Sequence, residues 1–366
     1  MTILQMYLTN DTKRHDIEVE EVGKGKLVWI PCGVLQREKQ DFKLRNLYLL
    51  LFEGGILKFQ QRLLKYIRNQ FVLLQKEVLV TIRDYGVDLI SFHWLNYDSK
   101  DIVVSAVENG IPYVFVNHFE NELYNSKMVK RQIAHARALA GVSKAKVPEH
   151  IRARYVDLSD GIDTDFFDPE RANHPDVIVE KPIIFLPSRI AERKGHVDLV
   201  EAVARLKSAG TSVRLVFAGR IDSEKLFHNL KSTIAHLDLN EDVFFLGPLD
   251  QEALRNWYAQ CDAVVLPTQM EGMPRVLLEA QSMKKPVIAY DAGGSTEAMK
   301  DGETGFVIPK NDIKQLAEKI AELLGDDRKK IQMGLCGRDF IVNRYALAKL
   351  AERHEEFYKN ALKSTS

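Results

Sequence analysis

The sequence predicts an α/β fold built from two doubly wound parallel sheets, and three observations carry that expectation. A chain of 366 residues fits two domains of about 150 to 200 residues better than one. Short β-rich apolar runs alternate with longer amphipathic segments, the rhythm of parallel sheets covered by helices on both faces. Between Asp157 and Lys181 the rhythm lapses into Ser159-Asp160-Gly161-Ile162-Asp163-Thr164-Asp165, then Asp168-Pro169 and His174-Pro175, a connecting segment rich in turn formers. The boundary is expected there: residues 1–168 form a first domain, 169–340 a second, and 341–366 a terminal helix.

Expected strands in the first half are Lys26–Ile30, Asp88–His93, Tyr113–Asn117 and Leu139–Val142. The second half repeats the pattern at Ile183–Pro187, Val213–Ala218, Val243–Leu246, Ala263–Leu266, Val287–Tyr290 and Phe306–Ile308. Helices fill the gaps. One gathers Leu199, Val200, Val203 and Leu206 on a single face and closes at Gly210, a residue suited to a left-handed cap. Another starts at Asp312, whose side chain can cap while Gln315 reaches back. Only about 25 residues precede the first expected strand, so either the first domain is abbreviated or the chain starts at what is normally the second strand of such a domain; a strand-helix unit lost in this way would bare a sheet edge for a dimer or partner subunit to cover.

Composition narrows the function. Hydrophobic residues are 45% and charged residues 28%, which excludes disordered and low-complexity classes. Lys plus Arg balances Asp plus Glu at 51 each, against a nucleic-acid-coating protein. Cys32, Cys261 and Cys336 are odd in number and far apart, which fits neither a disulfide framework nor a zinc cluster and points to a reducing cytoplasm. No apolar run of export-signal length develops near Met1, and the stretch Asn46–Phe59, interrupted by Glu53, Gly54 and Gly55, is shorter than the ~20 residues a membrane span needs. Gly23-Lys24-Gly25 is too short for a dinucleotide fingerprint, and no P-loop, His-Glu-x-x-His or Gly-x-Ser-x-Gly motif occurs.

Two loops carry the chemistry. After Ile183–Pro187 comes Ser188-Arg189-Ile190-Ala191-Glu192-Arg193-Lys194-Gly195, where a guanidinium fork and an ammonium can neutralise a diphosphate. After the strand ending near Pro267 comes Glu271-Gly272-Met273-Pro274-Arg275, running into a helix that carries Glu279. A helix start exposes unpaired N–H groups with the positive helix end behind them, an anion site, and carboxylates accept hydrogen bonds from sugar hydroxyls. The bland readings are a solvated basic loop and surface glutamates.

The ordered set resembles the family-4 retaining glycosyltransferases over essentially all of Ile183 to Pro309: Ser188-Arg189 with Arg193-Lys194-Gly195, Glu271 and Glu279 as Glu-x7-Glu, and Pro286 to Ala289 with Gly293-Gly294-Ser295-Thr296-Glu297 and Thr304-Gly305. Gly161-Ile162-Asp163 with Phe166, and the terminal helix from Tyr345 to Tyr358, fit the same family. The resemblance implies a GT-B fold, two Rossmann-like domains facing across a cleft, with the acceptor on the first, the nucleotide sugar on the second, and the last helix crossing back. It implies a retaining hexosyl- or hexosaminyltransferase that needs no metal and no cofactor beyond its nucleotide-diphosphate sugar, UDP-sugar being the commonest. Arg189 and Lys194 would hold the diphosphate, Glu271 the transferred sugar, Glu279 the ribose, and His118 would face the sugar. Gly272, Met273, Arg275 and Gly219 would complete the donor site. Pro274 lacks the N–H that glycine-containing relatives offer. Asp163-Thr164-Asp165 reads as a turn rather than as a metal site, and His93 is a weaker acceptor-side candidate than a structural residue.

A non-catalytic nucleotide-sugar-binding partner of another transferase and a nucleotide-sugar epimerase on the same fold remain alternatives. The acceptor is left open among a glycan, a lipid-linked molecule and a small molecule. Residues 37–83 carry ten Lys or Arg against four Asp or Glu among Leu, Phe and Tyr, a surface that suits anionic lipid at the inner face of the membrane as well as an ordinary helix pair.

Overall fold

The computed structural model describes residues 2–7, 18–22, 25–31, 88–92, 100–117, 127–144, 147–158, 160–173, 179–180 and 182–363. The chain divides into two compact units. The first comprises Met1–Gly141, Val147–Asp157 and Glu355–Ser366, and the second Val142–Lys146 and Leu158–His354. His93, His118, Cys32, Gly54-Gly55 and the basic segment 37–83 lie outside the described residues.

The first unit holds strands β1 (Thr2–Tyr7), β2 (Glu18–Val22), β3 (Gly25–Pro31), β4 (Leu89–Phe92), β5 (Tyr113–Asn117), β6 (Ala138–Gly141) and β7 (Tyr155–Asp157), with helices α1 (Lys100–Glu108), α2 (Lys127–Ala134) and α3 (Glu149–Arg152) between them. Their order in the sheet is β2-β3-β1-β4-β5-β6-β7. β1 corrects the expectation of an abbreviated sheet: it lies centrally, parallel to both β3 and β4 through Ile3, which registers with Leu27 and Leu89. The run Thr-Ile-Leu-Gln-Met-Tyr has no period-2 alternation to mark it as a strand, and the acidic β2, Glu-Val-Glu-Glu-Val, forms an antiparallel edge on β3 that periodicity among the other strands does not announce. With β1 in place, the argument that a missing strand must be covered by a partner falls.

β4 and β5 are buried throughout, and Phe92, Tyr113 and Phe115 pack with ring centroids 5.1 to 5.9 Å apart. The end of the terminal helix joins them: the hydroxyls of Tyr358 and Ser91 lie 3.2 Å apart, and Arg137 donates to the carbonyl oxygens of Ala361 and Leu362.

The second unit runs β8 (Ile183–Pro187), α4 (His196–Ser208), β9 (Arg214–Ala218), α5 (Glu224–His236), β10 (Val243–Phe245), α6 (Gln251–Gln260), β11 (Ala263–Leu266), α7 (Arg275–Ser282), β12 (Val287–Tyr290), β13 (Gly305–Ile308), α8 (Ile313–Leu324), α9 (Asp327–Tyr345) and α10 (Leu347–Lys363), the last passing into the first unit. β8, β11 and β12 are apolar and fully buried, as strands covered on both faces must be. α4 buries Leu199, Val200, Ala202, Val203 and Leu206, and Gly210 follows at φ +84°, the expected left-handed stop. Asp312 caps α8 by accepting from Gln315 N at 2.9 Å. Asp163 caps its own turn, accepting from Asp165 N and Phe166 N at 3.1 and 2.8 Å, as the turn reading expects. No helix among the described residues is long and apolar enough to cross a membrane.

Candidate functional site

The second sheet has the order β10-β9-β8-β11-β12-β13, all parallel. From β8 the chain winds outward to β9 and β10, and from β11 it winds the other way, so the connections diverge between β8 and β11. That switch point opens a crevice beyond the carboxyl ends of the strands, where open α/β sheets bind ligands. The loops entering it are 188–195 and 267–274, the two the sequence singles out.

Backbone contacts stitch these loops together. The carbonyl oxygen of Arg193 accepts from Gln269 N at 2.8 Å and from the Thr268 hydroxyl at 2.9 Å. Gly195 turns at φ +72°, and a Cβ there would stand 2.0 Å from the Pro267 carbonyl oxygen, so only glycine lets the basic loop lie against the end of β11. Lys194 Nζ then meets Glu271 Oε1 in an ion pair whose side chains are 20% and 15% exposed. Arg193 points outward and touches Met270 Sδ at 3.3 Å.

The Glu271–Pro274 loop is backed by the short 3-10 turn Gly293–Thr296. Gly294 N donates to the Glu271 carbonyl at 3.1 Å, and a Cβ on Gly294 would fall 1.8 Å from the Gly272 oxygen. Met273 is buried beneath the loop. Pro274 stands at the N-cap of α7 without a side-chain cap, so the first amides of the helix have no side-chain acceptor there. Arg275 is exposed over that end and lies 3.7 Å from Glu279 Oε1.

Glu279 is only 8% exposed. Its Oε2 accepts a 2.9 Å hydrogen bond from the hydroxyl of Tyr258, a fully buried residue of α6. Burial pushes the Glu279 carboxyl above the ordinary range, against the pull of the Tyr258 hydroxyl and the Arg275 charge. Burial, with the Glu279 charge adding, drives the Tyr258 phenol well above its usual value, so it remains a donor.

Arg189 is half exposed and pairs with Asp222, which Arg220 also contacts at 2.8 Å. The strand ends beneath are zipped: Ile190 N donates to the Arg220 oxygen, and Asp222 N to the Ile190 oxygen. Gly219, at φ +153°, lies so close to Ser188 that a Cβ would stand 2.2 Å from the Ser188 oxygen. Behind this, His196 opens α4 at 2% exposure with its ring centroid 5.0 Å from that of Phe217 and neither ring nitrogen hydrogen-bonded. Burial lowers its pKa to about 4, the Ser188 backbone opposing and the Lys194 charge adding.

The structure therefore brings Lys194, Glu271, Gly272 and Met273 together, with Arg275 and Glu279 on the helix that follows. Arg189 and Gly219 sit on the adjoining β8 and β9 ends, where Arg189 is engaged by Asp222. Tyr258 and Asp222 escape the sequence reading. The partner of each lies on another element, and neither the spacing from Tyr258 to Glu279 nor that from Arg189 to Asp222 is a signal in itself.

Two Rossmann-like units, the second wound 3-2-1-4-5-6, are the parts of a GT-B fold. A crystal structure of a glycosyltransferase from Rickettsia africae superposes with a TM-score of 0.72 over 100% of this chain and 99% of that one, at 23% identity. Residues 169–339 match the family described as glycosyl transferases group 1. It is 29% identical over 183 residues to the capsular polysaccharide biosynthesis glycosyltransferase CapM of Staphylococcus aureus, covering 50% of this chain and 47% of that protein. It is 27% identical over 214 residues to a GDP-mannose-dependent α-(1-6)-phosphatidylinositol monomannoside mannosyltransferase of Mycobacterium tuberculosis, covering 55% of each. The chain thus spans about half the length of these curated relatives in the matched region.

Proposed function

We propose that the chain transfers a hexose or hexosamine from a nucleotide-diphosphate sugar to an acceptor hydroxyl, with retention at the anomeric carbon. The observation that carries this reading is the convergence of Lys194 and Glu271 at the switch point, with Glu279 on the helix that the acidic loop begins. A cation beside the free helix start suits a departing diphosphate, and two carboxylates suit sugar and ribose hydroxyls. In this reading Lys194, Arg189 and the first amides of α7 spread the charge that develops on the leaving phosphate. Arg189 must exchange Asp222 for phosphate. Glu271 orients the sugar, the leaving phosphate takes the acceptor proton, and no metal is required. His118 would face the donor sugar as the resemblance implies. An acceptor built on a lipid would fit the basic segment 37–83.

The donor is tested by a thermal-shift panel of UDP-, GDP- and ADP-sugars, since one relative is named for GDP-mannose. The matching donor at a hundredfold excess over Kd should stabilise the wild type by about 2.7 kcal/mol, and Glu279→Ala should erase most of that. Product analysis then separates transfer from epimerisation, which returns an isomerised donor, and from a binding subunit, which turns nothing over. Equal shifts for wild type and Glu279→Ala would sink the donor assignment.

A further inference from the structure

We propose that Tyr258 is a positioning residue of the donor site: its hydroxyl holds Glu279 Oε2 so that Oε1 is left to accept a hydrogen bond from the donor's ribose. The inference rests on the reading of Glu279 as a donor-binding carboxylate. A glutamate at the second turn of a helix has several rotamers, and a carboxylate that swings between them presents no fixed acceptor. Here one oxygen is taken. The Tyr258 hydroxyl reaches it at 2.9 Å from α6, and its other contact is a long one of 3.5 Å to the Val276 carbonyl. Oε1 faces Arg275 at 3.7 Å, an ion pair too long for a hydrogen bond, and so retains lone pairs for a hydroxyl donor.

The tyrosine is itself immobile. Its ring packs edge-on against Phe167 and Phe185, with centroids 6.1 and 5.6 Å away, and none of it is exposed. A phenylalanine would keep every ring contact and lose only the hydroxyl. The groups that set the charge of Glu279 are then few: Tyr258 from α6 and Arg275 from its own helix, both favouring the carboxylate against burial. Without the hydroxyl, the carboxyl titrates higher and is protonated sooner as the pH falls.

UDP and GDP are titrated calorimetrically into wild type, Tyr258→Phe, Glu279→Gln and the double variant. Tyr258→Phe should weaken the bound nucleotide roughly tenfold, as befits one hydrogen bond to a charged group. The double variant should bind no more weakly than Glu279→Gln. No loss, or one that adds to that of Glu279→Gln, would overturn the positioning role and leave the donor reading intact. Binding unchanged by Glu279→Gln, or absent from wild type for both nucleotides, would overturn the donor reading and this inference with it. Carbon-13 titration of the Glu279 carboxyl supplies a ligand-free check: its midpoint should rise in Tyr258→Phe, and an unmoved midpoint refutes the proposal.

Discussion

Lys194 and Glu271, 77 residues apart in sequence, close an ion pair between the loop that leaves β8 and the loop that leaves β11. Neither charge is there for the other alone. The Arg193 carbonyl already anchors Gln269 N and the Thr268 hydroxyl, so the backbone sets the distance and the two side chains meet because of it. With both side chains mostly buried, such a pair is the ready partner of a ligand carrying both a phosphate and hydroxyls: the cation can turn to one and the carboxylate to the other.

Lys194→Met should therefore slow sugar transfer by roughly a hundredfold or more, the scale of losing one preorganised charge at a leaving group. Arg193→Met, which removes an exposed charge one residue away, should change it by less than about fivefold. Lys194→Met also strands Glu271, so the double variant Lys194→Met/Glu271→Gln should recover thermal stability without recovering turnover. Equal losses for Lys194→Met and Arg193→Met would mean that the loop acts only as a diffuse positive surface.

Gly294→Ala tests the backing of the acidic loop. The added methyl would have to occupy space 1.8 Å from the Gly272 oxygen, so either the 293–296 turn or the Glu271–Met273 loop must move. A shift of that kind costs about 1 to 3 kcal/mol in unfolding free energy. Because Gly294 N also holds the Glu271 carbonyl, nucleotide binding should weaken more than stability does. A variant with lowered melting temperature and unchanged binding would show that the loop does not depend on this turn.

What the sequence conveyed, and what it did not, follows from how local each feature is. Runs such as Ile183–Pro187 and Val287–Tyr290 are buried on both faces and therefore apolar at every position, which makes them readable without a partner. Asp312 and Gly210 act within one helical turn and are equally plain. Lys194 and Glu271 are legible as a pair because each follows a strand of the same parallel sheet, and such loops gather at one end. The Tyr258 hydroxyl has no such rule: an aromatic on α6 is indistinguishable in sequence from any core residue until α7 lies beside it. Asp222 is the same case, an aspartate two residues past Arg220 whose role appears only when the ends of β8 and β9 are zipped. β1 escapes the reading for a different reason: Thr-Ile-Leu-Gln-Met-Tyr has neither a continuous apolar run nor a period-2 alternation.

His196 gives the second unit a pH dependence whose sign can be worked out. Its folded pKa lies at about 4 against 6.5 for the free side chain, so the unfolded chain binds the proton first. Stability from this residue is fully present above the unfolded value and is lost as the pH falls through the window between the two. The full window corresponds to about 3 kcal/mol. Urea unfolding of wild type and His196→Phe from neutral pH down to about 4.5 should show the wild type losing roughly 2 to 3 kcal/mol more than the variant. Parallel acid limbs would mean that His196 gains a proton acceptor in the folded chain.

Arg338 ties the Gly161–Asp168 segment to the helices beneath the site, and its removal should be among the costlier surface-proximal changes. Its guanidinium donates to the Phe167 carbonyl at 3.1 Å and the Ser282 carbonyl at 2.6 Å, and pairs with Asp168. The helix that carries it is held tight against its neighbours: a Cβ on Gly334 would stand 2.1 Å from the Lys284 oxygen, so α9 cannot drift to compensate. Arg338→Met leaves the Ser282 carbonyl and a partly buried carboxylate without this donor, while the Phe167 carbonyl keeps the Ser282 hydroxyl at 2.8 Å, a loss of about 2 to 4 kcal/mol. Arg338→Lys keeps the charge but not the fork and should recover less than about half of it. Urea unfolding separates the outcomes. If lysine restored full stability, the charge opposite Asp168 would be all that matters; if methionine cost nothing, the segment would be held by the buried Ile162 and Phe167 alone.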